Sequence, residues 1–163
     1  AFGRAEEPAP KCQRFFLADV VADVEAAIGP EEAIGASLCL VTVAPVVVDA
    51  DFDQLYRILL NLSRNAIDAG ADRVTISGAN VGDRVVIEMA DDGPGLPAAV
   101  EAELFAEKGP SPGGGAGLGL AIAATLAANH GGVLELVATG ADGTRFRLTL
   151  PTALPGRKAA ATG

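Results

Sequence analysis

The sequence predicts an α+β fold, a two-layer α/β sandwich in which helices cover one face of a mixed, mostly antiparallel sheet. Three observations carry that prediction. Helical and strand patterns follow one another in mixed order along the chain. Two pairs of β-rich segments, residues 73–77 with 84–90 and 133–138 with 144–150, are each joined by a short turn, as antiparallel neighbours are. The clearest helix, residues 51–69, carries an apolar stripe that must cover another layer.

Taken in order, residues 1–14 are rich in Pro and charge and read as a tether. Phe16, Leu17, Val20, Val21, Val24 and Ile28 recur at helical spacing, and Gly29-Pro30 is the expected stop. The β-branched run SLCLVTVAPVVVD, residues 37–49, gives one or two strands interrupted at Pro45. In the helix over 51–69, Leu55, Ile58, Leu59, Leu62, Ala66 and Ala69 form the apolar stripe. Gln54, Arg57, Asn61, Asn65 and Asp68 fall together on another face, and Gly70 closes the helix. After the strands 73–77 and 84–90, a short helix is expected over 98–105, with Pro97 at its start. Residues 106–116 are Gly, Pro, Ser and charge and read as a mobile loop. A helix over 118–129 stops at Gly131-Gly132, the strands 133–138 and 144–150 follow, and residues 152–163 read as a disordered tail.

The 163 residues suit one domain, here residues 15–151, and 4% aromatics with no Trp leave Val, Leu, Ile and Ala to build the core. A formal charge of −9 argues against a nucleic-acid partner, which calls for a basic surface. One histidine and two scattered cysteines, Cys12 and Cys39, do not make a zinc site, and the cysteines read as ordinary reduced thiols of a cytoplasmic domain. No apolar run reaches the roughly 18 residues of a membrane span, so no membrane contact is expected of this domain. The chain opens on Ala1 without a methionine and reads as a piece of something longer.

Three short segments concentrate the chemistry. In NLSRNA (61–66), Asn61 and Asn65 lie one helical turn apart, so their amides share a face. A neutral carbonyl oxygen suits magnesium, although a pair facing solvent fits the same spacing. In DDGPG (91–95), Asp91 follows a strand, and Gly93 and Gly95 allow a tight turn against a flat ring. A carboxylate there accepts a hydrogen bond from an exocyclic amine such as that of adenine; an acidic turn without ligand is the competing reading. In GGGAGLGL (113–120), glycines expose backbone N–H groups just before a helix, the arrangement of an anion site. No Lys-Ser/Thr follows, so this is not a Walker loop, and no strand leads into it as a dinucleotide fingerprint requires.

Together, in this order, the three segments resemble the ATP-binding catalytic domain of two-component sensor histidine kinases, in the superfamily of gyrase, HSP90 and MutL. The likeness runs from about Phe16 to Pro151. Asp51 with Leu55, Asn129-His130-Gly131-Gly132 and Gly143-Thr144-Arg145-Phe146 extend it. The NLSRNA segment looks most like nitrogen-sensor and dicarboxylate-sensor kinases. The resemblance implies the Bergerat-type ATP-binding fold, ATP and Mg2+ as cofactors, and transfer of the γ-phosphate to a histidine on a dimerisation domain of the same protein, with a response regulator downstream. It implies that Asn65 ligates magnesium with Asn61 as its polar neighbour near the phosphates, and that Asp91, Gly93 and Gly95 hold adenine. Gly115, Gly117, Leu118 and Gly119 would line the phosphate side at the edge of a lid. It also implies that His130 is structural.

Two departures stand out. Asp68 occupies a position where many of these kinases carry Lys, with Lys108 or Arg64 as the candidate replacement cation, and AEKGPSP after Phe105 lacks the second aromatic of the usual phenylalanine box. The hydrolytic families usually have a glutamate where Asn61 stands, and an amide is no general base. A degenerate ATP-fold module acting as a protein-binding or phosphotransfer scaffold is the alternative.

Overall fold

A computed structural model of the chain describes residues 9–32, 37–42, 45–96 and 115–152. The elements run β1 (Gln13–Phe16), α1 (Leu17–Glu32), β2 (Ser37–Val41), β3 (Val47–Ala50), α2 (Phe52–Asp68), β4 (Arg73–Val81), β5 (Arg84–Asp91), α3 (Gly115–Asn129), β6 (Val133–Gly140) and β7 (Gly143–Pro151). The main sheet has five strands in the order β2-β4-β5-β7-β6. Only β2 and β4 run parallel; the β4–β5, β5–β7 and β6–β7 pairs are antiparallel. The expected mixed, mostly antiparallel sandwich is the fold observed.

Period-two alternation sends one side of each strand inward. Val74 and Ile76 of β4, Val85, Ile87 and Met89 of β5, and Phe146, Leu148 and Leu150 of β7 join one buried cluster with α1, α2 and α3. Outward, Glu88 and Arg147 pair at 2.9 Å across β5 and β7. On α2 the expected stripe is buried at Leu55, Ile58, Leu59, Leu62 and Ala66. Each large aliphatic side chain there contributes about 1.5–3 kcal/mol. Asp51 caps the helix by accepting from the Gln54 N–H at 3.1 Å. Gln54, on the polar face of the helix, is buried.

Several boundaries differ from the sequence reading. Residues 13–16 are a strand, which pairs antiparallel with β3, so the supposed tether ends in structure. Its edge is held by the Lys11 N–H on Asp51 Oδ2 at 2.9 Å and by Arg14 beside the buried Asp49. Helix α1 passes Gly29-Pro30 and ends at Glu32; the missing Pro30 N–H costs one bond within the last turn. Strand β4 runs to Val81, four residues further than expected, because it stays paired with β5 up to a turn at Gly82-Asp83. Helix α3 begins at Gly115, not at 118: Gly115 and Gly117, expected to precede the helix, lie in its first turn. The helix expected over 98–105 and most of the loop over 106–116 lie outside the described residues, as does the tail beyond 152. Among the described residues no helix is long and apolar enough to cross a membrane.

Candidate nucleotide site

A cavity of about 410 Å³ lies where α2, the end of β5, α3 and β7 meet, a size within the roughly 300–1,000 Å³ of small-molecule sites. Helix α2 supplies Leu62, Asn65, Ala66 and Asp68, followed by Ala69. The segment from β5 supplies Asp91, Pro94, Gly95 and Leu96, α3 supplies Leu120, and β7 supplies Thr144 and Phe146. Most of the wall is apolar, with four polar side chains converging on it. That combination gives a ligand an apolar slot and a few orienting hydrogen bonds.

Asp91 is the best-defined of the four. It ends β5, and the turn after it brings the Gly93 N–H onto Asp91 Oδ1 at 2.8 Å. A Cβ on Gly93 would sit 3.1 Å from that oxygen and 3.3 Å from Ala71 Cβ, which is why glycine stands there. The Thr144 backbone N–H also reaches the carboxyl. Burial raises the carboxyl above the usual aspartate range. The two N–H groups pull the other way without cancelling the rise, and the neighbouring Asp92 charge adds to it. A partly desolvated carboxylate at a cavity wall is a strong acceptor for an exocyclic amine.

Asp92 does something else. It is exposed, and its Oδ1 accepts from the Asp72 and Arg73 N–H groups at 2.8 and 2.9 Å, pinning the start of β4. Those N–H groups, Arg73 first, hold its carboxyl below the usual range. Of the two adjacent aspartates, one faces the cavity and the other fastens the sheet.

Gly95 has φ +91°, and its missing Cβ lets the backbone lie directly on Gly140, the last residue of β6. Gly143, at φ +128°, leaves the space that the Asp91 carbonyl oxygen occupies. The β6–β7 turn therefore packs flush against the segment carrying Asp91.

On α2, Asn65 is half-buried and faces the cavity. Gly119 of α3 passes so close that a Cβ there would be 3.3 Å from Asn65 Nδ2 and 3.5 Å from its Oδ1. Asn61, one turn earlier, is half-buried but not part of the cavity wall. Gly93 lies behind the wall rather than on it. The backbone of Gly115, Gly117 and Leu118 belongs to the first turn of α3, where N–H groups lack helical acceptors. Arg64 is half-buried and not on the wall, and Lys108 falls outside the described residues.

His130 is removed from the cavity wall. It is buried, with Nδ1 2.9 Å from the Leu126 carbonyl oxygen and Nε2 accepting from the Asp51 N–H at 3.0 Å. Both ring nitrogens are engaged by backbone, which fixes the Nδ1–H tautomer and a structural role.

Thr144, Phe146, Leu96 and the apolar wall of α2 were not among the site residues expected from the sequence. Thr144 was detectable in principle: it follows Gly143, and β7 lies beside β5 in the sheet, so the pair falls next to Asp91.

A profile of the histidine kinase-, DNA gyrase B- and HSP90-like ATPase family matches residues 50–154. The chain belongs to this family. The C4-dicarboxylate transport sensor protein DctB of Rhizobium meliloti (strain 1021) is 38% identical over 106 residues, which are 61% of this chain and 17% of DctB. The sensor histidine kinase ZraS of Escherichia coli O157:H7 is 36% identical over 108 residues, 64% of this chain and 23% of ZraS. The sensory histidine kinase/phosphatase NtrB of Rhizobium leguminosarum bv. phaseoli is 31% identical over 122 residues, 64% of this chain and 32% of NtrB. The matched region of this histidine-kinase-type ATPase domain is thus under a third of the length of these sensor kinases. Among solved structures, the nucleotide-free catalytic domain of histidine kinase ThkA superposes with a TM-score of 0.72 at 22% identity, covering 87% of this chain and 96% of that one. Full-length ShkA in complex with AMPPNP gives 0.69 at 25% identity, covering 89% of this chain and 32% of ShkA. The fold is that of histidine kinase ATP-binding domains.

Proposed function

We propose that this domain binds Mg-ATP in the cavity between α2, β5, α3 and β7 and presents the γ-phosphate to a histidine on a dimerisation domain of the same protein, for relay to a response regulator. The observation that carries this is the placing of Asp91 and Asn65 on one cavity wall, the first set to accept an exocyclic amine and the second to offer an amide oxygen. The family match and the AMPPNP held by ShkA support the choice of ligand.

In this reading the Asp91 carboxylate, oriented by the Gly93 and Thr144 N–H groups, accepts from the adenine amine. Leu62, Leu96, Leu120 and Phe146 exclude water around the base. The first turn of α3 would offer its N–H groups to the phosphates, because a helix N-terminus favours negative charge. The donor set fits magnesium: the Asn65 amide oxygen would join phosphate oxygens and water, the hard-oxygen shell that ion keeps. Among the described residues no group of three or more His, Cys, Asp or Glu offers a competing metal site. Magnesium, when bound, would neutralise phosphate charge. Catalysis would then rest on positioning and electrostatics, and the Asn61 amide supplies no base for hydrolysis.

Calorimetric titration of ATP, with and without magnesium, tests the reading. Magnesium-dependent binding that disappears in Asn65→Ala and Asp91→Asn is expected. A wild-type domain that takes up no ATP would make the scaffold alternative the better account.

A further inference from the structure

Outside the residues that face the ligand, Thr139 near the end of β6 makes two short hydrogen bonds. Its Oγ1 accepts from the Leu96 N–H at 2.7 Å and lies 2.8 Å from Thr144 Oγ1. Leu96 and Thr144 both line the cavity; Thr139 does not. Thr139 and Thr144 are cross-strand partners at the mouth of the β6–β7 turn, so their hydroxyls are held together by the ladder itself. Gly95 packing on Gly140 brings the Leu96 N–H within reach. The Thr144 main chain already donates to Asp91. One side chain outside the cavity is thereby tied to two parts of its wall.

We propose that Thr139 is a positioning residue for the adenine end of the nucleotide pocket, orienting the Thr144 hydroxyl and fixing the Leu96 main chain beside Asp91. This rests on the nucleotide reading above. Thr139 Oγ1 uses one lone pair on the Leu96 N–H and retains its own hydrogen and a second lone pair. With Thr139 donating, the Thr144 hydroxyl hydrogen is left to point at a ligand acceptor. With Thr144 donating to Thr139, its oxygen is left to accept from a ligand donor. A purine edge carries both acceptor nitrogens and an amine donor, and this hydroxyl pair serves either. Valine at 139 keeps the shape, removes the switchable partner and leaves the Leu96 N–H without its acceptor. Serine keeps the hydroxyl.

The test combines ligand binding with an observation on the ligand-free domain. Adenosine and Mg-ATP are titrated into wild type, Thr139→Val and Thr139→Ser, and amide exchange is followed at Leu96. Thr139→Val is expected to weaken both ligands by the same factor, on the order of tenfold for one lost hydrogen bond. Thr139→Ser should restore both, and the Leu96 amide should be protected in wild type and in Thr139→Ser only. Equal binding by all three proteins overturns the proposal and leaves the nucleotide site standing, as does a loss confined to Mg-ATP with adenosine unaffected. An unprotected Leu96 amide in wild type overturns it even if Thr139→Val does not fold. Failure of wild type to bind either ligand overturns the nucleotide reading itself, and the role of Thr139 with it.

Discussion

The Asp51 N–H donates to Nε2 of His130 at 3.0 Å, joining the N-cap of α2 to the residue that follows α3. Asp51 also caps α2 through its carboxylate and takes up the Lys11 N–H, so three elements converge on this pair. The ring's other nitrogen is committed to the Leu126 carbonyl. The two helices that carry Asn65 and Gly119 are thus anchored to each other at the ends remote from the cavity.

Replacing His130 with Ala should therefore cost stability and not chemistry. It removes a buried ring and leaves the Asp51 N–H and the Leu126 carbonyl without partners, a loss of about 2–4 kcal/mol. Denaturant unfolding should show the lower midpoint. The folded fraction should bind ATP with unchanged affinity, and a loss of binding in fully folded protein would contradict the structural assignment.

The adjacent Asp91 and Asp92 should separate under mutation. Asp91→Asn is expected to abolish ATP binding while leaving the melting temperature level or higher, because the partly desolvated charge it removes is held at a cost. Asp92→Ala should lower the melting temperature by freeing the start of β4, with binding retained.

Their pH dependences run in opposite senses. The Asp91 carboxyl is raised in the fold, so its ionisation costs stability at neutral pH. That cost is relieved as pH falls through the raised value toward the ordinary one. ATP binding should lose its acceptor over the same window, above the ordinary aspartate range. Asp92 is lowered, so its contribution is complete above the ordinary range and is lost only as pH falls through the depressed value. Melting curves and ATP titrations from neutral pH to below the ordinary carboxylate range check both signs, with the two variants as controls.

The layers of the sandwich and the α2 stripe were legible because periodicity reports burial directly. Asp91, Asn65 and Gly95 were legible because each sits in a short motif whose residue types are dictated by turn and helix geometry. Thr144 and Phe146 were not. They reach the cavity through the pairing of β5 with β7, a contact between residues more than fifty positions apart that local patterning does not encode. The start of α3 was misplaced for the opposite reason: glycine's low propensity argued for a loop, yet at a first turn the backbone of Gly115 and Gly117 still adopts helix. Strand β1 is four residues long and owes its form to its partner β3, so the composition of residues 1–14 spoke louder than the pairing.

Gly119 offers a test in which stability and function move apart. Alanine within a helix gains about 1 kcal/mol over glycine. Its methyl would press on the Asn65 amide at 3.3 Å from Nδ2, tighter than ordinary contact. Gly119→Ala should melt higher and bind Mg-ATP more weakly. A tighter or unchanged affinity would mean that the Asn65 amide does not need its present position.

The charge of the cavity gives the last prediction. Its described wall carries two carboxylates, Asp68 and Asp91, and no cationic side chain. A polyphosphate approaching that wall meets like charge, and a divalent ion is the available means of neutralising it. Asp68→Lys replaces one of those carboxylates with an ammonium group on the same helical face as Asn65, three residues away. Removing one negative charge and adding a positive one should strengthen ATP binding in the absence of magnesium by about tenfold, since near-surface pairs of this kind act through an effective dielectric well above that of the dry interior. Binding in saturating magnesium should change less, because the ion already screens the phosphates. Titration of ATP in EDTA and in excess magnesium, for wild type and Asp68→Lys, measures the difference. An affinity ratio that is the same in both buffers would mean that Asp68 stands too far from the phosphates to set the metal dependence.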